Sequence, residues 1–186
     1  MNLQILSGDK ILIKGPNGSG KTTLIKIILG LLTNYDGDIY MDGININDCR
    51  KQNLAWIPQN HITFADTLAW NAELLASDQV KVKEMLKEFR LDDESVDVEQ
   101  FSGGQKRKLS LIRGFTSDSE LIVLDEPTNN IDQEGFEILS KFITTTKRTL
   151  LIVSHDERLA SLCSKAVQLA DGQLIELEKE STLVSC

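Results

Sequence analysis

The stretch Gly15, Pro16, Asn17, Gly18, Ser19, Gly20, Lys21, Thr22, Thr23 has the spacing G-x-x-x-x-G-K-T. Glycines at 15, 18 and 20 let the backbone fold tightly enough for successive N–H groups to converge on one anion. Lys21 can then reach terminal phosphates, the Thr22 hydroxyl is of a type that ligates Mg²⁺, and a helix starting here turns its positive end to the same point. This is the chemistry of a cradle for a nucleoside polyphosphate.

Three further stretches carry related chemistry. In "LIVLDEPTNNID" an apolar run ends in Asp125 and Glu126, one carboxylate to hold Mg²⁺ through its water shell and the other to polarise an attacking water, a role worth ~10²- to 10⁴-fold in rate. By itself an acidic pair before Pro127 is more often a solvated turn. In "FSGGQKRKLSLIRG" Ser102 is a helix N-cap, and Gly103, Gly104 and Gln105 expose N–H groups at the helix start, a second anion-directed site. Its alternative is an ordinary capped helix with a basic solvent face at Lys106, Arg107 and Lys108. In "TLLIVSHD" His155 follows an apolar run, where it is either a structural residue or a hydrogen-bond donor to a γ-phosphate.

Elements that place such residues together are visible as alternating patterns. Short apolar runs at Ile11–Ile13, Leu54–Ile57, Leu121–Leu124 and Leu150–Val153 read as strands, with helices over Lys21–Leu31, Gln79–Phe89, Gln105–Phe115 and Glu134–Ile143. Near-continuous apolar strands separated by helices predict an α/β fold with a mainly parallel sheet covered on both faces. Val82, Met85, Leu86 and Phe89 share one helix face and read as core. Asp42-Gly43 and Asp171-Gly172 predict hairpin turns, giving a small antiparallel β element. The region Asn60–Phe101 lacks strong strand runs and reads as a helical insertion.

Composition sets outer limits. The chain has 186 residues, 41% hydrophobic and 26% charged, suiting one domain with a sizeable core, and its net charge of −8 argues against a nucleic-acid partner. Cys49, Cys163 and Cys186 are widely spaced and odd in number, which reads as reduced thiols in a cytosolic protein. Runs such as "LIKIILGLL" are short and broken by Lys26, well under the ~18 to 20 apolar residues of a bilayer span.

Taken jointly, "GPNGSGKTT", the glutamine of "WIPQN", "SGGQ", "LDEPT" and "SHD" resemble, in order and spacing and over nearly the whole chain, the nucleotide-binding domain of ATP-binding cassette (ABC) transporters. The resemblance implies a P-loop NTPase in which residues 1–59 and 103–186 form a RecA-like core and 60–102 a helical subdomain ending in the signature. It implies ATP and Mg²⁺ as ligands: Gly15 to Thr23 on the phosphates, Thr22, Gln59 and Asp125 around the metal, Glu126 as catalytic base, and His155 as γ-phosphate switch. Ser102, Gly103, Gly104 and Gln105 would contact the ATP of a second nucleotide-binding domain in a head-to-tail dimer, which explains two anion-directed sites in one chain. Asp132, in "NNID", falls in the loop that communicates between the two ATP sites. A transmembrane transporter domain would be the other partner, with the chain on the cytosolic face of the membrane.

Some features depart from the family pattern. Phe101 stands where the signature usually begins with leucine, and "DDESVDVEQ" lacks the Glu-Arg-Gly common in multidrug-type exporters, whereas "FADTLAWN" resembles an exporter pattern. Export is the favoured direction, and a soluble cassette ATPase of translation or DNA maintenance is the alternative. A phosphotransferase would leave "SGGQ" and His155 without a role. Ahead of Gly15 the family places strands and an aromatic residue that stacks on adenine, a contact worth ~1 to 3 kcal/mol. Here Tyr35 and Tyr40 lie beyond the phosphate-loop helix, and strands at Leu3–Ile5 and Ile39–Met41 would be short of partners. The chain then reads either as a piece of a longer exporter polypeptide or as a minimal cassette held mainly by phosphates.

Overall fold

A computed structural model of the chain describes residues 3–41, 44–45 and 54–177. Its frame is a six-stranded sheet in the order β4-β5-β6-β1-β7-β8, built from β1 (Lys10–Lys14), β4 (Leu54–Ile57), β5 (Leu121–Asp125), β6 (Thr149–Val153), β7 (Lys165–Ala170) and β8 (Gln173–Leu177). The first five in that order are parallel, and β8 turns back antiparallel to β7. A separate two-stranded ribbon pairs β2 (Tyr40–Met41) with β3 (Ile44–Asn45).

Alternation along the strands divides the core into two layers. Ile11, Ile13, Val123, Leu151 and Val153 face α1 (Lys21–Ile28) through Ile25 and Ile28. Leu12, Ile122, Leu124, Leu150 and Ile152 face the other way, toward α4 (Gly103–Thr116) and α5 (Gln133–Thr145). Strands buried on both sides are built mainly of apolar residues, which is why their sequence reads as near-continuous apolar runs. Both faces of the sheet are therefore covered, as the α/β pattern predicts.

Helix boundaries differ by up to three residues from those read in the sequence. The helix α1 stops at Ile28 because Gly30 takes φ 62° and the N–H groups of Leu29 and Gly30 donate to the carbonyls of Ile25 and Ile27. Leu3–Ile5 forms no strand; Leu3 and Ile5 pack as partly buried side chains against the α1-side core. The Asp171-Gly172 turn joins β7 to β8 with φ of 48° and 71°, both positive as a two-residue hairpin of this kind requires. Asp42-Gly43, Cys49 and Cys186 lie outside the described residues.

Between β4 and α4 run α2 (Leu68–Glu73), α3 (Gln79–Glu88) and a 3-10 turn at Val98–Gln100. Val82, Leu86 and Phe89 are almost fully buried, with Met85 packed partly against them. Phe89 and Phe115 rings sit 6.2 Å apart, and Phe115 stacks on Phe142 of α5 at 3.7 Å. Side-chain caps start four helices, Thr67 for α2, Asp78 for α3, Ser102 for α4 and Asp132 for α5.

One polar network is buried inside this region. The Asn71 side chain accepts from the N–H of Phe64 and donates to the carbonyls of Phe64, Asp66 and Thr67, at 3.0 to 3.3 Å. Arg113 of α4 completes it, donating to the Asn71 carbonyl at 2.6 Å, to Asn71 Oδ1 at 2.5 Å and to the carbonyl of Ile62. The turn from Ile62 to Thr67 is thus fixed to the helix that begins at Ser102.

Candidate functional site

The carboxyl ends of β1, β5 and β6 open onto a cleft of about 780 Å³. Open parallel sheets bind ligands at this end. Asn17, Gly18, Gly20, Lys21, Thr22 and Thr23 form one wall, and Gln59, Asp125, Glu126 and His155 border it as well. Thr128, Asn129 and Asp156 complete the lining. Gly15, Pro16 and Ser19 lie in the same loop as the first wall.

The loop after β1 has the features of an anion cradle. A Cβ on Gly15 would fall 2.4 Å from the Leu169 carbonyl oxygen of β7, so any larger residue would push the loop off the sheet. Gly18 and Gly20 take φ of 82° and 98°, and Gly20 caps α1, whose first residue is Lys21. The ammonium of Lys21 donates to the carbonyls of Gly15 at 2.7 Å and Pro16 at 2.9 Å, which holds it across its own loop. Ser19 Oγ is buried inside the loop without a hydrogen-bond partner.

Opposite stands the acidic pair. Asp125 and Glu126 are 5% and 8% exposed. Burial, followed by the neighbouring Glu126, pushes the Asp125 carboxyl above the ordinary carboxylate range, against the pull of Arg107 and Lys21. Glu126 adopts φ 49°, rare for a residue with a side chain, and its N–H donates to the Val153 carbonyl at 2.7 Å. Its two oxygens are spoken for: Ser154 Oγ donates to Oε2 at 3.2 Å, and His155 Nε2 lies 3.3 Å from Oε1.

The residues suit a nucleoside triphosphate with Mg²⁺. Among the described residues no group of three or more His, Cys, Asp or Glu side chains is arranged to hold a metal. Mg²⁺ does not need one, because it keeps several waters and binds through one or two carboxylates plus substrate phosphates. Thr22, Gln59 and Asp125 on the cleft fit that donor set.

The fourth motif is elsewhere. None of Ser102, Gly103, Gly104 and Gln105 borders the cleft. Ser102 and Gln105 form a reciprocal capping box, Gln105 N–H to Ser102 Oγ at 3.2 Å and Ser102 N–H to Gln105 Oε1 at 2.9 Å. A Cβ on Gly103 would meet nothing within 4 Å, whereas one on Gly104 would be 2.9 Å from the Asn130 carbonyl oxygen. Asp132 caps α5 and pairs with Lys108 of α4 at 2.8 Å; that lysine and the Gly135 N–H hold its carboxyl below the usual range.

The basic solvent face considered for this helix is corrected at its centre. Arg107 is fully buried and contacts the backbone on both sides of Glu126. Sequence reasoning missed it because a K-R-K run reads as solvated. Helical spacing offered a signal, since Arg107 lies four residues before Leu111 on the core-facing side. Thr128, Ser154 and Asp156 were also missed, though they stand inside or next to the motifs quoted above.

Residues 1–129 match the family model described as ABC transporter. The chain is 36% identical over 165 residues to the ATP-binding protein Uup of Escherichia coli, covering 83% of this chain and 25% of that protein. It is 26% identical over 204 residues to a lactococcin transport/processing ATP-binding protein of Lactococcus lactis, covering 100% of this chain and 28% of the relative. The chain therefore spans about a quarter of the length of these two relatives. A dimeric ATP-binding cassette solved in a post-hydrolysis state with ADP and phosphate superimposes with a TM-score of 0.81 at 26% identity, covering 96% of this chain and 89% of that one.

Proposed function

The chain belongs to the ABC transporter family, and from that premise we propose that it is the ATP-hydrolysing cassette of a transporter, working as a head-to-tail dimer around two ATP molecules. The observation that carries the reading is the division of anion-directed chemistry within one chain. Lys21, Glu126 and His155 share the cleft, while Ser102 to Gln105 lie outside it with Gly103 open to an approaching ligand. A second copy that presents its own Ser102 to Gln105 to this cleft completes both sites at once.

Within the site the roles follow from position. Gly15 to Thr23 hold the phosphates, with Lys21 exchanging its two carbonyl acceptors for phosphate oxygens. Thr22, Gln59 and Asp125 would hold Mg²⁺, which when bound neutralises charge on the β- and γ-phosphates. Glu126 accepts the proton of the attacking water as the new P–O bond forms and the bond to the β–γ bridging oxygen breaks, leaving ADP and phosphate. His155 hydrogen-bonds the γ-phosphate and Asp132 positions the loop between the two sites. Residues 60–102 act as the helical subdomain that carries the signature.

A membrane-embedded partner is supported by a surface next to Gln59. Ile62, Phe64, Trp70 and Leu75 are each between 45% and 55% exposed, and the Phe64 and Trp70 rings meet edge to face at 5.6 Å. Among the described residues no helix is long and apolar enough to cross a membrane. The Lactococcus relative, named for lactococcin transport and processing, supports the transport reading. A second reading, a cassette ATPase without such a partner, is favoured by the higher identity to Uup, whose name states ATP binding alone.

Two measurements test this. The full chain hydrolyses ATP and Lys21→Ala loses affinity for it by about ten- to a hundredfold, the loss of one charge-assisted contact. No phosphorylated product appears with small-molecule acceptors; equal ATP affinity in the variant would contradict the site. In native cells, Ile62→Asp with Leu75→Asp releases the chain from the membrane fraction. Under the second reading its distribution is unchanged.

A further inference from the structure

Arg107 has no role in the site as read above, yet it is the largest fully buried side chain among the described residues. It sits in α4, little more than a turn from the signature. Its guanidinium donates to the carbonyls of Asp125 at 2.7 Å and Pro127 at 3.3 Å, which flank Glu126, and to the carbonyl of Pro58 at 2.8 Å, which precedes Gln59. No carboxylate pairs with it within ion-pair distance among the described residues, although Asp125 and Glu126 lie near enough to oppose the effect of burial, which lowers its pKa to about 10. It stays a cation at neutral pH.

A buried cation spent on three carbonyls is costly unless the geometry it fixes is needed. The carbonyls it holds bracket the one cleft carboxylate with a positive φ. Glu126 at φ 49° is a conformation worth ~1 to 3 kcal/mol of strain, maintained only while the surrounding structure determines it. From its own side the sheet supplies one restraint, the Glu126 N–H bond to Val153. The planar fork of Arg107 supplies two more, and through Pro58 it ties the Gln59 turn to the same helix.

We propose that Arg107 is a positioning residue for hydrolysis, clamping the Glu126 backbone and the Gln59 turn to the signature helix so that docking of Ser102 to Gln105 on a second nucleotide is registered at this chain's own base. The proposal rests on the ATPase reading above. Lysine cannot serve, because a single ammonium does not span three carbonyls fixed in different directions.

The test compares Arg107→Met, Arg107→Lys and Arg107→Gln in the full chain. In Arg107→Met, kcat falls about thirtyfold or more while the KM for ATP stays within about twofold, since the phosphate loop is untouched. Neither Lys, whose donors radiate from one nitrogen, nor Gln, whose amide is shorter, recovers more than part of kcat. Independently of activity, hydrogen exchange quickens at least tenfold in the peptide containing Glu126 and not in the phosphate-loop peptide. Parental kcat, a KM that rises as kcat falls, full recovery by Lys, or unchanged exchange at Glu126 overturns the clamp. Absence of ATP hydrolysis in the parent chain contradicts the ATPase reading instead, and the exchange comparison then still decides the clamp. Should Arg107→Met not fold, the Lys and Gln variants carry the same comparison.

Discussion

Nε2 of His155 lies 3.3 Å from Oε1 of Glu126, across the carboxyl ends of the neighbouring strands β6 and β5. The imidazole is about half exposed and faces the cleft, whereas the carboxylate is nearly buried, so the pair has one member open to ligand and one protected from bulk water. A histidine with one nitrogen on the base can turn the other to a terminal phosphate. His155→Ala therefore lowers kcat by about a hundredfold, the range of a lost transition-state hydrogen bond, and leaves ATP affinity within a few-fold. Single-turnover hydrolysis beside equilibrium binding checks both halves.

Asp125 predicts an unusual gain in stability. Its carboxyl is held above the ordinary range by burial and by Glu126, so the nucleotide-free fold disfavours the charged form that is present at neutral pH. Asp125→Asn removes that cost: Tm without nucleotide rises at pH 7, and the gain shrinks as pH falls toward the ordinary carboxylate range, where Asp125 in the parent is itself neutral. Asp132 and Asp156 run the other way. Their carboxyls are held down by Lys108 and by Arg158, so their contribution is present above the ordinary range and is lost as pH falls through their lowered values. They are common to both proteins and cancel in the comparison. A Tm that falls in Asp125→Asn at pH 7 contradicts the electrostatics; hydrolysis is lost in either case.

Asn71 predicts a structural loss. It is fully buried and its amide serves one N–H and three carbonyls, with Arg113 donating to its Oδ1. Asn71→Ala leaves those groups unpaired in a dry interior, costing about 2 to 4 kcal/mol. Chemical denaturation measures it, and Asn71→Asp, which turns an acceptor-only oxygen toward the three carbonyls, is destabilised as well.

How far these residues were legible in the sequence follows from what each one depends on. The order of motifs from Gly15 to His155 was readable because phosphate and metal chemistry constrains residue type at short spacing, and the strands were readable because burial on both faces leaves unbroken apolar runs. The bracing of the site was not. Arg107 looks like its basic neighbours until the fold turns it inward, and Asn71 was noticed as part of a pattern without its buried network being evident. Glu126's positive φ is imposed by contacts from β6 and α4, and no local signal in "LDEPT" announces it. Leu3–Ile5 failed as a strand for the converse reason: an apolar triplet signals burial, and these side chains find it against the α1-side core without a strand partner.

Sedimentation of Glu126→Gln with and without ATP tests the central claim most directly. The substitution keeps the shape of the side chain and its contact with Ser154 while removing the base, so ATP binds and is not consumed. The variant is a monomer alone and with ADP, becomes a dimer with ATP, and returns to monomer when Ser102→Arg is added to block the signature. A Glu126→Gln chain that stays monomeric at saturating ATP, or that hydrolyses ATP at the parental rate, contradicts the account.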